Sequence, residues 1–155
     1  MVRYEECLPA HLLDGATLRG NEYAWPIEEI PEVILAAREA GLINIGGQLQ
    51  FRFPAGTCEC YWIEVDTLRV MPNRLSQREK VDWSAQEALS QLKKLNCRWD
   101  YLAEGQRAFS NELDDFVAGG GDPLRAMCFV WYLEKPNDAK TSKVPLKNPG
   151  PFVVR

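Results

Sequence analysis

The chain has 155 residues, of which 46% are hydrophobic, 26% charged and 10% aromatic, and its formal net charge is −4. That length fits one domain able to bury roughly 68–70% of its unfolded surface, and near-average charge with five tryptophans excludes a disordered chain. No apolar run approaches the ~20 residues of a membrane span, because the longest, Ala126 to Leu133, is strand-sized.

Residues 1–30 read as irregular. Met1-Val2-Arg3-Tyr4-Glu5-Glu6 has no apolar h-region, so no secretory signal is expected. Leu8 to Leu13 forms at most a helical turn, which Gly15, Gly20 and Asn21 break. Pro31 suits the first position of a helix, Glu32 its first turn, and Val33, Ile34 and Ala37 its apolar stripe; Gly41 stops it as a left-handed cap. From Ile43 a strand follows, with Ile45, Gly47, Leu49, Phe51 and Phe53 on one face and Asn44, Gln48, Gln50 and Arg52 on the other. Gly46-Gly47 inside it signals a bulge or a close backbone approach. Pro54-Ala55-Gly56 supplies turn chemistry, and Cys58 to Asp66 returns as the second strand of a hairpin, extending toward Met71.

Ser84-Ala85-Gln86-Glu87 has the form of a capping box, with Ala85, Ala88, Leu89, Leu92 and Leu95 behind it at helical spacing. Leu102, Phe109, Leu113, Phe116 and Val117 give a third helical pattern, which Gly119-Gly120-Gly121 stops as a flexible loop. Ala126 to Leu133 is apolar on both faces, as a central strand would be. The order predicts an α+β fold: a small antiparallel or mixed sheet with a central hairpin and about three helices packed on one face. The domain is expected over 1–133, followed by a Pro/Lys-rich tail over 134–155 that holds no regular structure unless Phe152-Val153-Val154 docks back as a strand.

Charge is unevenly placed. Residues 134–155 hold five basic and two acidic residues, whereas 1–133 hold 13 basic and 20 acidic. An acidic body repels phosphate backbones, which argues against nucleic acid, and steers a basic partner. Five cysteines without a secretory signal are expected as reduced thiols in a cytoplasmic protein. No CxxC occurs and His11 is the single histidine, so no metal site and no cofactor are expected; the glycine run lacks both the P-loop lysine and the GxGxxG pattern. Cys58 or Cys60 acting with His11 would make a small thiol-dependent enzyme, which needs a depressed thiol pKa and a base in reach.

Aromatic residues gather around the hairpin. The alternating faces of the second strand are Cys58, Cys60, Trp62, Glu64, Asp66 and Glu59, Tyr61, Ile63, Val65, and the second is the better core face beyond Glu59. Aromatic residues bordered by acids make an interface hot spot unless the third helix or the tail covers them; on the first alternative Glu59, Tyr61, Trp62, Glu64 and Asp66 are the expected partner-binding residues, with the Glu112 and Asp115 helix face next in line. The stretch Ile34 to Phe51, a helix entering a strand through Ile45-Gly46-Gly47, resembles small immunity-type proteins of bacterial polymorphic toxin systems, over residues 27–66. That resemblance implies a non-enzymatic protein that binds and neutralises a cognate toxin by occlusion. An accessory subunit of another pathway is the remaining alternative.

Overall fold

In the computed structural model, which describes residues 3–137, the order is α1 (Ala10–Asp14), β1 (Thr17–Arg19), β2 (Glu22–Trp25), α2 (Ile30–Glu39), β3 (Ile43–Phe53) and β4 (Gly56–Asp66), then α3 (Gln77–Arg98), α4 (Tyr101–Ala108), α5 (Ser110–Ala118), α6 (Pro123–Ala126), β5 (Met127–Val130) and β6 (Tyr132–Glu134). The strands form one antiparallel sheet in the order β1-β2-β5-β3-β4, and β6 pairs with the first part of β3. The expected α+β architecture is present, with more helices than the sequence pattern suggested. The expectation for the tail from 138 onward lies outside the described residues.

Helix boundaries follow local chemistry. Pro31 lies in the first turn of α2, and Gly41, at φ +77°, carries the left-handed turn that ends it. The capping box of α3 is Ser76 with Glu79, not Ser84 with Glu87. Ser76-Gln77-Arg78-Glu79 carries the same Ser-x-x-Glu signal about two turns upstream, which leaves Ser84 buried inside the helix. The third helical pattern breaks at Phe109 into α4 and α5, and the region expected to be irregular holds the β1–β2 hairpin, turned at Gly20 (φ +64°).

The helices cover one face of the sheet. Leu12, Ile34, Leu92 and Leu113 from four helices join Leu49, Phe51, Ile63, Phe129 and Trp131 from the sheet in one apolar cluster. Gly105 lets α4 lie directly on Phe51, since a methyl group there would sit 2.3 Å from the ring. Asn44, fully buried, ties the layers together. Its amide donates to the Ile34 carbonyl (3.2 Å) and its carbonyl accepts from Trp131 Nε1 (2.8 Å). Its backbone N–H donates to Ser84 Oγ (2.9 Å), and its backbone carbonyl accepts from Thr67 Oγ1 (2.6 Å).

Gly46 and Gly47 mark the close approach their sequence signalled. A Cβ on Gly46 would lie 2.0 Å from the Val65 carbonyl oxygen, and one on Gly47 would lie 1.6 Å from that of Val130. The β3–β6 register shifts between Asn44 and Gly46, so the alternation is out of phase there: Asn44 faces the helices and Ile45 is only half-buried. The face assigned to Ile45 is corrected accordingly.

These constraints set two stability tests. Gly47→Ala forces backbone apart on a central strand and should cost at least ~4 kcal/mol in urea unfolding, whereas Asn44→Ala strands a buried tryptophan N–H and a buried carbonyl and should cost ~3 kcal/mol. An unchanged midpoint for either would show that the crossing can relax. Glu5, buried and accepting from the Leu133 N–H (3.1 Å), has its pKa raised by desolvation. A raised carboxyl pKa means that the folded state holds the proton more tightly, so the penalty of the charged form is full above the folded pKa and vanishes below the unfolded one. Glu5→Gln should therefore be more stable than the parent at pH 7, with the gap closing as pH falls to about 4. A gap that stays constant with pH would refute this.

Candidate functional site

The β3–β4 pairing jumps where the aromatic residues stand. Adjacent Gln48 and Leu49 pair with Glu64 and Cys60, so Tyr61, Trp62 and Ile63 oppose no residue of β3. Three extra residues form a wide bulge, and an odd number reverses the alternation beyond it. Cys58 and Cys60 therefore enter the same apolar cluster as Ile63 and Val65, which corrects the face assigned to Cys58 and Cys60 from the sequence.

The bulge turns two neighbouring aromatic side chains outward. Tyr61 is 66% exposed and Trp62 36%, and their rings meet edge-on at 5.3 Å. Trp62 stacks on Phe109 at the α4–α5 break, with centroids 6.4 Å apart, and its Nε1–H donates to Glu104 Oε2 at 2.9 Å. Arg107 grips the same carboxylate with two bonds of 2.6 and 3.1 Å, which holds the Glu104 pKa below the usual carboxylate range. The indole is thus fixed by contacts within the chain itself. Phe109 was read only as part of a helical apolar pattern, and Glu104 and Arg107 were not singled out from the sequence; the one available signal for the pair was its helical spacing behind an N-capping Asp100.

The structure separates the expected acids. Glu64 and Asp66 both pair with Arg69, at 2.8 and 3.1 Å, and lie beyond the bulge at the end of β4. Glu59 is on the other face of the sheet, 4% exposed, where its Oε2 accepts from Gln48 Nε2 (2.6 Å) and Gln50 Nε2 (2.8 Å). Arg52 donates to Gln50 Oε1 (3.0 Å) and the Tyr132 hydroxyl to Glu22 Oε2 (2.9 Å), so this face carries an interlocked polar layer. Burial raises the Glu59 pKa, and the two amides oppose the shift. A buried carboxyl so engaged is a sheet fastener rather than a rim charge.

The cysteine constellation does not assemble. Burial pushes the Cys60 thiol up to about 12 and the Cys128 thiol up to about 11, away from the thiolate an attacking cysteine needs. His11 bonds to Glu32 Oε2 of α2 at 2.7 Å, on an exposed surface. Among the described residues no group of His, Cys, Asp or Glu could hold a metal ion, and no helix is long and apolar enough to cross a membrane. No known protein family, curated protein or solved structure matches the chain.

Thiol reactivity tests this placement. Cys7 and Cys97 are exposed whereas Cys58, Cys60 and Cys128 are buried, so a thiol reagent should modify two cysteines quickly in the folded protein and the other three only on unfolding. Fast modification of Cys58 or Cys60 in the native state would return the thiol-enzyme reading to contention.

Proposed function

We propose that this is a non-enzymatic protein-binding domain that docks a protein partner on the Tyr61–Trp62 bulge, in the manner of a bacterial toxin-neutralising protein acting by occlusion. The observation that carries this reading is the bulge itself, which spends three residues of a central hairpin to present two adjacent aromatic rings. Tyrosine, tryptophan and arginine dominate binding hot spots, and the exposed Arg107 stands beside the pair. The indole is already immobilised by Phe109 and Glu104, so little side-chain entropy is lost on docking. The acidic balance of residues 1–133 favours a basic partner, although Arg69 neutralises part of the local charge at Glu64 and Asp66.

The photo-crosslinker p-benzoylphenylalanine in place of Tyr61, introduced in the native host, should yield one discrete adduct, and in place of the exposed Leu35 of α2 none. With the captured partner purified, Tyr61→Ala should weaken binding by ~30-fold or more, about 2 kcal/mol, through faster dissociation and without a change in melting temperature. Trp62→Ala should weaken binding similarly and destabilise the fold by less than the ~3–5 kcal/mol of a fully buried tryptophan. Charge reversal at Glu64 and Asp66 together should slow association at low salt, with the difference fading as salt rises. Parent-like dissociation of both aromatic variants would end this reading, and co-expression with the partner shows whether binding protects a cell from it.

A further inference from the structure

Away from the bulge, the turn of the β3–β4 hairpin and the end of α5 enclose an open cleft of about 570 Å³. Phe53, Cys58 and Phe116 line it, with the Phe53 and Phe116 rings 4.8 Å apart. The Gly119–Gly121 segment makes the far wall and is a built turn rather than a loose loop. The Gly120 and Gly121 N–H groups donate to the carbonyls of Val117 and Phe116, and Gly120 has φ +95°. A Cβ on Gly121 would lie 2.4 Å from the Phe116 ring, so glycine is what lets the wall close on that ring. The volume falls in the range of ligand pockets.

Glu112 and Asp115 also line the cleft, and neither carboxylate has a hydrogen-bond or ion-pair partner among the described residues. From Ala108 to Leu124 the chain has four acidic residues and no basic one. Asp115 moreover sits in the last turn of α5, where the helix dipole already favours a cation and no basic side chain is supplied. An apolar floor flanked by two carboxylates without an ion-pair partner among the described residues, Glu112 in the first turn of α5 and Asp115 in its last, complements an apolar group carried next to a positive charge.

We propose that this cleft receives a partner segment in which an aromatic or aliphatic side chain stands beside lysine or arginine, the apolar group entering between Phe53 and Phe116 and the cation meeting Glu112 and Asp115. The site is independent of the Tyr61–Trp62 surface, and its test needs no partner. The isotope-labelled full-length protein is titrated with the capped peptide Arg-Phe-Arg and followed by amide resonances. Saturable shifts are expected at Gly56, Gly119, Gly120 and Gly121, fading in about 1 M salt, where the Debye length is ~3 Å. Capped Glu-Phe-Glu should leave these resonances in place. Glu112→Gln with Asp115→Asn should weaken the Arg-Phe-Arg titration by ~10-fold or more, and Asp115→Asn alone by less, with the remaining spectrum unchanged. No shift with Arg-Phe-Arg, equal shifts with both peptides, or indifference to the acid substitutions would overturn the proposal. So would movement of the same glycine resonances on Phe152→Ala before any peptide is added, because the occupant would then be this chain's own C-terminal segment.

Discussion

Backbone crowding at Gly46-Gly47 is the constraint on which the rest of the sheet depends. Two successive residues of β3 face carbonyl oxygens on opposite sides, Val65 on one and Val130 on the other, at distances that no side chain could tolerate. Three neighbouring backbones are drawn together at this point, and pairing absorbs the mismatch on both sides. Toward β6 the register slips between Asn44 and Gly46; toward β4 it slips between Gln48 and Leu49. Tyr61 and Trp62 are outward because of the second slip. The outward Tyr61–Trp62 pair is thus a by-product of how tightly the sheet's centre is closed, and a substitution at the glycines would reach it through the register alone.

Much of the fold was legible where chemistry is local. Pro31, Gly41 and the Pro54-Ala55-Gly56 turn each act within a few residues of themselves, and the helix and hairpin they punctuate stand as expected, except that β4 ends at Asp66 and a 3-10 turn over Leu68–Val70 replaces the extension toward Met71. Apolar Ala126 to Leu133 likewise supplies buried residues to both faces: Phe129, Trp131 and Leu133 to the helix side, Cys128 and Val130 to the other. Alternation failed at Ile45 and again at Cys58 and Cys60, for one reason. A period-two reading assumes an unbroken register, and each bulge shifts the phase without any residue type announcing by how much. Glu59 was legible as an acid beside aromatics but not as a buried one, because its partners Gln48 and Gln50 come from the neighbouring strand.

The two sides of β3 show how differently a sheet can be closed. On the helix side burial is largely apolar, with the amide of fully buried Asn44 stitching α2 to Trp131 and its backbone N–H bonded to the buried Ser84 hydroxyl. On the opposite side Gln48, Gln50, Arg52, Glu59 and Tyr132 satisfy one another in a chain of hydrogen bonds across three strands. A layer of this kind gains little net energy per bond but fixes register strongly, since a one-residue slip would strand every member. It is the counterweight to the two bulges, holding β3 and β4 in step on the hairpin side of the jump.

Charge and aromatic surface therefore have separate tasks on the outer edge. Glu64, Asp66 and Glu104 are each engaged by an arginine, Arg69 or Arg107, so the field they project outward is weaker than their number suggests. Their geometric effect is stronger: the Glu104–Arg107 fork sets the indole, and Arg69 braces the strand end just past the bulge. In the proposed binding reading, attraction over distance comes from the acidic balance of residues 1–133 as a whole, and affinity from the two rings. Glu112 and Asp115 reverse that arrangement. Neither has an ion-pair partner among the described residues, and both stand at the mouth of an apolar cleft, with Asp115 in the last turn of α5 where the helix dipole adds to the attraction for a cation.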